Sequence, residues 1–304
     1  MSSLSPAVIA AIDDLELAAR LVVEGMRAGG HRSPFRGHGA EFTQHRVYRA
    51  GDDLKHLDWK LFGRSDRLFT RQFRETTNVA VMLVVDTSAS MMYPEQGLTK
   101  FRYACIMAAA LAHLVSDQGN AVGLMTMSKG KMAYLPARGG KPHLRSLIAR
   151  IDKLVPGDSW NPAQVIARGA ELLQRRGMVL VISDFYDSEE ETRREMRHVV
   201  QRGHDVAMLQ LLSPDEQSLA LKGQVEFEDL ESGQRRMVDA NTIRATYNRE
   251  VEEFLARCRN GAVRDGIDYA LMSTDSPPER SLRDFLLRRN MSVAASRGVA
   301  SIGR

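Results

Sequence analysis

Two stretches, "VAVMLVVD" at 79–86 and "MVLVISD" at 178–184, restrict the possible folds more than any other part of the sequence. Each is an almost unbroken apolar run of strand length that stops at an acid. A strand that is apolar at every position, and not at alternate ones, has to be covered on both faces, which is the signature of a parallel sheet between helical layers. Both runs are far shorter than the ~18 residues that a membrane-spanning helix requires. The segments around them repeat the alternation. Strands are predicted over 79–86, 121–127, 131–135, 178–184, 205–212 and 267–273, and helices over 98–117, 142–153, 161–175, 188–201 and 278–290. The fold class that follows is α/β, with a doubly wound, mostly parallel sheet.

This core is expected to occupy residues 77–290. Inside it, 222–264 reads as an insertion. Val225 and Phe227, then "ESGQ", then Met237 and Val238 predict a hairpin, and a long helix follows. Residues 1–76 are expected to form an N-terminal extension. It opens with an amphipathic helix over 6–28 stopped by Gly29-Gly30, and continues as a loop-rich segment with extended stretches near 45–49 and 67–75. The tail 291–304, "MSVAASRGVASIGR", has no periodic apolar face and is expected to be disordered.

Composition excludes several classes. With 42 Lys and Arg against 38 Asp and Glu, the formal charge of +4 is too small and too dispersed to mark a nucleic-acid binder. Cys105 and Cys258 are the two cysteines and stand far apart, so neither a disulfide framework nor a C-x-x-C metal site is available. The start carries Asp13, Asp14 and Glu16 where a signal peptide would be apolar. The expectation is a soluble, cytoplasmic protein without membrane insertion.

In open parallel sheets, ligands gather beyond the carboxyl ends of the strands. If the two acid-terminated strands are neighbours, Asp86 and Asp184 enter one crevice. Ser88 and Ser90 follow Asp86 at alternate positions, which in an extended loop turns three oxygen-bearing side chains toward one point. Two carboxylates with two or three hydroxyls are a hard, all-oxygen set. Such a set suits Mg2+, with Mn2+ or Ca2+ as substitutes, and does not suit zinc. Only two acids leave such an ion partly uncompensated, so an open position could accept a carboxylate from another protein.

"DTSAS" at 86–90 resembles the D-x-S-x-S motif of von Willebrand factor A domains. Their metal ion-dependent adhesion site also takes a Thr from a second loop and an Asp from a third. The resemblance implies a Rossmann-type A-domain fold and a metal held by Asp86, Ser88, Ser90 and Asp184. In the second loop, "PGDSWNPAQVI", Ser159 stands where Thr is usual, with Asn161 as the substitute. The upstream segment contains "GHGAEF", "YRAGDD" and "HLDW" and is similar to the signature that precedes the A domain in the DUF58 family, so that the match runs over about 31–275. This narrower resemblance implies a non-enzymatic adaptor working with a MoxR-type AAA+ ATPase in chaperone-like assembly or maturation of protein complexes. Its client would offer an acidic side chain. The chain has no G-x-x-x-x-G-K-[ST] loop of its own to hold ATP.

Other readings compete with these. Asp86, Ser88 and Ser90 could cap a helix, although one cap does not need three such residues. A phosphatase using Asp86 as nucleophile would want a second acid where Ser88 stands, and a serine hydrolase would want a G-x-S-x-G elbow. In "RAGDDLKHLDW", Asp52, Asp53, His56 and Asp58 suggest acid–base chemistry, but a turn at Gly51-Asp52, a cap at Asp53 and Trp59 anchored in the core account for them. Arg64, Arg67, Arg71 and Arg74 are expected to pair with Asp52, Asp53 and Glu75, the alternative being nucleic-acid contact. His31 and His38 lack companions for zinc. Met82, Met91, Met92, Met107 and Met125 read as core filling, with Met91 and Met92 alternatively forming a contact rim.

Overall fold

The computed structural model describes residues 5–28, 40–49, 52, 57–75, 79–94, 97–128, 130–157, 160–186, 189–230 and 233–289. The chain forms two compact units, one from Phe35–Val79 and the other from the remainder. The division differs from the expected 1–76 extension, because the N-terminal helices belong to the larger unit. α1 (Pro6–Ala10) and α2 (Leu15–Ala28) are separate helices. The break falls where the Asp14 carboxylate accepts from Leu17 N at 3.0 Å, so Asp14 starts a helix instead of continuing one. α2 buries Leu15, Ala18, Ala19, Val22, Val23 and Met26, and its Arg27 reaches Asp117 at 2.7 Å.

The larger unit holds a six-stranded sheet of β3 (Ala80–Val85), β4 (Ala121–Ser128), β5 (Lys131–Arg138), β6 (Met178–Ser183), β7 (Asp205–Leu212) and β10 (Asp268–Ser273). Their spatial order is β10-β7-β6-β3-β4-β5, and every neighbouring pair is parallel except β4 with β5. The doubly wound, mostly parallel α/β sheet expected from the sequence is therefore present. β5 extends past the expected 135 because Pro136, which cannot donate to a ladder, is tolerated at a sheet edge. Gly123 faces the irregular β4–β5 register, where a Cβ would come within 2.8 Å of Ala137 N and Leu135 O.

Helices cover both faces. Met82, Val84, Val179, Val181 and Met208 pack into one apolar cluster with residues of α6 (Pro162–Glu171), α7 (Glu189–Gln201) and α9 (Ala240–Arg264). The alternate residues Leu83, Leu180 and Leu209 are equally buried and, by strand periodicity, face the opposite layer. That layer contains α2, α4 (Lys100–Asp117), α5 (Lys141–Asp152) and the helix 278–289. α4 is buried along most of its length, with Ala104, Ala108, Ala109, Ala110 and Ala112 among its buried residues. The predicted insertion is an antiparallel hairpin of β8 (Gln224–Glu228) and β9 (Arg235–Asp239) followed by α9. Among the described residues no helix is long and apolar enough to cross a membrane.

In the smaller unit, β1 (Ala40–Val47) pairs antiparallel with β2 (Phe69–Glu75), and α3 (Trp59–Ser65) lies between them in sequence. Asp58 starts α3 by accepting from Leu61 N at 3.0 Å. Trp59 is 64% exposed, so it does not anchor the helix in a core, and its ring meets Phe62 edge-on at 6.4 Å. Asp52 pairs with Arg46 at 2.6 Å, a partner outside the group of arginines expected to hold it. Asp53, His56, His31, His38 and the tail 291–304 lie outside the described residues.

Candidate metal centre

After β3 the chain runs outward through β4 to β5, then returns to lay β6 against the other side of β3 before continuing to β7 and β10. The connections leaving β3 and β6 therefore diverge, and the gap between them is the crevice where open α/β sheets bind ligands. Asp86 and Asp184 each follow the last residue of one of these two strands. Asp86 N donates to Ile182 O at 3.0 Å, which extends the β3–β6 ladder to the mouth of the crevice.

The loop after β3 is turned inward by its own acid. Asp86 Oδ1 accepts from Ser88 N at 2.8 Å, and Ala89–Met92 then form a 3₁₀ turn. Ser88 Oγ and Ser90 Oγ lie 3.0 Å apart. The convergence expected from alternate spacing is thus present, but a turn produces it and not an extended loop. Thr87 points the other way and donates to Met127 O at 3.1 Å. Met91 is fully buried and Met92 is 45% exposed, so of the two only Met92 can belong to a rim.

On the β6 side, Ser183 Oγ donates to Asp86 Oδ2 at 2.5 Å and accepts from Phe185 N at 3.0 Å, which locks the two strand ends together. Asp184 Oδ1 accepts from Tyr186 N at 3.3 Å. Its other oxygen, Oδ2, accepts from Lys100 Nζ at 2.7 Å, and the same ammonium donates to Glu216 Oε1 at 2.5 Å. Glu216 closes a capping box on α8 (Pro214–Gln217), its Oε2 accepting from Ser213 N at 2.7 Å. Gln210 Nε2 holds the Asp184 carbonyl at 2.9 Å, and Tyr269 in turn donates to Gln210 Oε1 at 2.8 Å.

A cavity of about 260 Å3 opens on this arrangement, lined by Asp86, Ser88, Ser90, Asn161, Asp184 and Glu191, with Trp160 and Tyr186 at its sides. Asn161 reaches the cavity, but its side-chain oxygen is engaged as the cap of α6, accepting from Gln164 N at 3.1 Å. Ser159 lies outside the described residues.

The electrostatics are uneven. Burial, and then the neighbouring Asp184 charge, push the Asp86 carboxyl up to about 7. Burial pulls against the Lys100 ammonium, but the Asp184 and Glu216 carboxylates outweigh it and hold its pKa above the ordinary lysine value. Burial raises Glu216 despite its partner. Among the described residues no three His, Cys, Asp or Glu side chains are grouped as a metal cluster, so a zinc-type site is not formed there. A hard cation fits the donors that are present, namely one buried carboxylate from Asp86 and the paired hydroxyls of Ser88 and Ser90.

Sequence reasoning missed several groups at this site, among them Ser183, Lys100, Glu191 and Glu216. Lys100 occupies the first turn of α4, where a cation opposes the helix dipole, and that anomaly was a readable signal. Glu191 sits in the acid-rich first turn of α7, a pattern that any well-formed helix start displays.

The pattern of the family described as "Protein of unknown function DUF58" matches residues 44–256. An uncharacterized protein of Mycobacterium tuberculosis, Rv1480, is 31% identical over 231 residues, covering 75% of this chain and 72% of that one. Among solved structures, an aerotolerance-related membrane protein from Bacteroides fragilis is similar with a TM-score of 0.46 and 16% identity, over 69% of this chain and 99% of that one. The SpRpn10 VWA domain is similar with a TM-score of 0.40 and 13% identity, over 69% of this chain and 94% of that one. The expected cytoplasmic location is corrected by this comparison, since the Bacteroides fragilis protein is described as a membrane protein. The lack of a spanning helix among the described residues does not assign a compartment. By the match over 44–256 and the 31% identity to Rv1480, the chain belongs to the DUF58 family, and its larger unit is a mostly parallel α/β sheet.

Proposed function

We propose that the chain is a metal-dependent protein-binding module and not an enzyme. Its family and fold support a protein-interaction role. The observation that carries the metal dependence is the convergence of Asp86, Ser88 and Ser90 at the switch point of the sheet, lining a cavity with Met92 exposed in the same turn. Asp86, Ser88 and Ser90 would hold Mg2+, or Mn2+ or Ca2+ in its place, with Asp184 orienting the site and Ser159 as a further donor. The bound ion would supply a positive centre that accepts an acidic side chain of a client protein. A MoxR-type AAA+ ATPase is the proposed source of mechanical work, on the resemblance of the motif-bearing segment and because this sequence has no phosphate-binding loop of that class.

Titration calorimetry on the full chain tests the reading. Mn2+ should bind, and a glutamate-bearing peptide should bind only with Mn2+ present. Asp86→Ala should abolish both events while leaving the circular dichroism spectrum unchanged. Retention of both by a folded Asp86→Ala protein would overturn the reading.

A further inference from the structure

The two acids that end β3 and β6 are not equivalent. Asp86 is 1% exposed and, among the described residues, receives neutral donors from Ser88 and from the Ser183 hydroxyl. Asp184 is 3% exposed and has an ammonium group 2.7 Å from one oxygen and a backbone N–H on the other. The lysine that supplies this ammonium has no exposed surface. Its backbone is fixed by Lys100 N donating to Tyr93 O at 2.9 Å, and its Nζ lies 5.1 Å from the centre of the Tyr186 ring, a cation–π contact. Tyr186 stacks on Phe254 of α9 with ring centroids 5.3 Å apart, and the Tyr247 hydroxyl donates to Glu216 O at 2.9 Å. The position of the ammonium is therefore set by α4, α8, α9 and the β6 loop together.

We propose that Lys100 is the resident counter-ion of Asp184, so that Asp184 positions the site without lending a free carboxylate to a bound ion. Resting on the metal reading above, this leaves the Asp86–Ser88–Ser90 loop to hold a divalent ion with one carboxylate. The ion keeps an excess of positive charge that an anionic partner group satisfies. Lys100 thus makes the site weaker for metal and more demanding of an acidic ligand than two free carboxylates would make it. It is a positioning residue, acting through Asp184.

The test is a cycle of Lys100→Met, Asp184→Asn and the double variant in the full chain, read by Mn2+ affinity and by thermal denaturation in EDTA. Lys100→Met should bind Mn2+ about tenfold or more tightly, because it releases a second carboxylate to the ion. Asp184→Asn alone should change the affinity by less than about threefold, and the double variant should return close to the parent. In EDTA, Lys100→Met should lower the melting temperature, and adding Asp184→Asn should recover part of the loss, because the uncompensated buried charge is gone. Unchanged Mn2+ affinity in Lys100→Met, or a loss in Asp184→Asn as large as that in Asp86→Asn, would overturn the proposal. If no variant binds Mn2+, the metal reading fails by itself. The pairing then stands if Asp184→Asn relieves the melting defect of Lys100→Met and falls if it does not.

Discussion

The mouths of β3 and β6 look alike in sequence, an apolar run stopped by aspartate, yet the fold treats them oppositely. At β3 the carboxylate of Asp86 is buried without a cation beside it among the described residues, and its pKa is pushed up. At β6 the carboxylate of Asp184 is buried against Lys100. One strand end leaves its acid without a cation among the described residues, and the other is filled by a lysine of the chain.

The largest expected effect comes from breaking the filled end. Asp184→Asn in EDTA should cost about 3–5 kcal/mol in a urea melt, because it removes one member of a buried ion pair and leaves Lys100 with Glu216 alone. At the β3 end the sign reverses. A carboxyl group raised in the folded state favours folding while it stays protonated, so its contribution is present below its ordinary value of 3.8 and is lost as pH rises toward about 7. In EDTA, the parent should lose stability across that window, and Asp86→Asn should flatten the loss and gain on the order of 2–4 kcal/mol at pH 8. Equal destabilisation by Asp86→Asn and Asp184→Asn at pH 8 would show that the two ends are equivalent. The smallest effect concerns the reach of the filled end into α9. Tyr247→Phe removes the hydroxyl that donates to Glu216 O and should cost about 1 kcal/mol, measured by the same melts. No change would confine the network to α4, α8 and the β6 loop.

Much of the fold was legible because its signals are local. Continuous apolar strands, amphipathic helices and the "ESGQ" turn gave the layered sheet and the inserted hairpin close to where they occur. The first loop of the site was legible too, since Asp86, Ser88 and Ser90 lie within five residues and one turn gathers them. Errors appeared where neighbours in space decide. Met91 and Met92 are adjacent and chemically identical, but one is buried and the other exposed. Trp59 was expected in a core on the strength of its size, and its place at the start of α3 leaves it open to solvent.

The sequence by itself determined that two strands buried on both faces would end in acids, and that hydroxyls would follow the first of them. Those facts depend on periodicity and side-chain chemistry within a few residues. Only the tertiary structure decided that β6 returns beside β3, and that one buried lysine joins Asp184 and Glu216 across separations of 84 and 116 residues. Burial decides the charge balance of the site, because a carboxylate removed from water needs a partner, and which partner reaches it depends on how the helices pack and not on the order of residues along the chain.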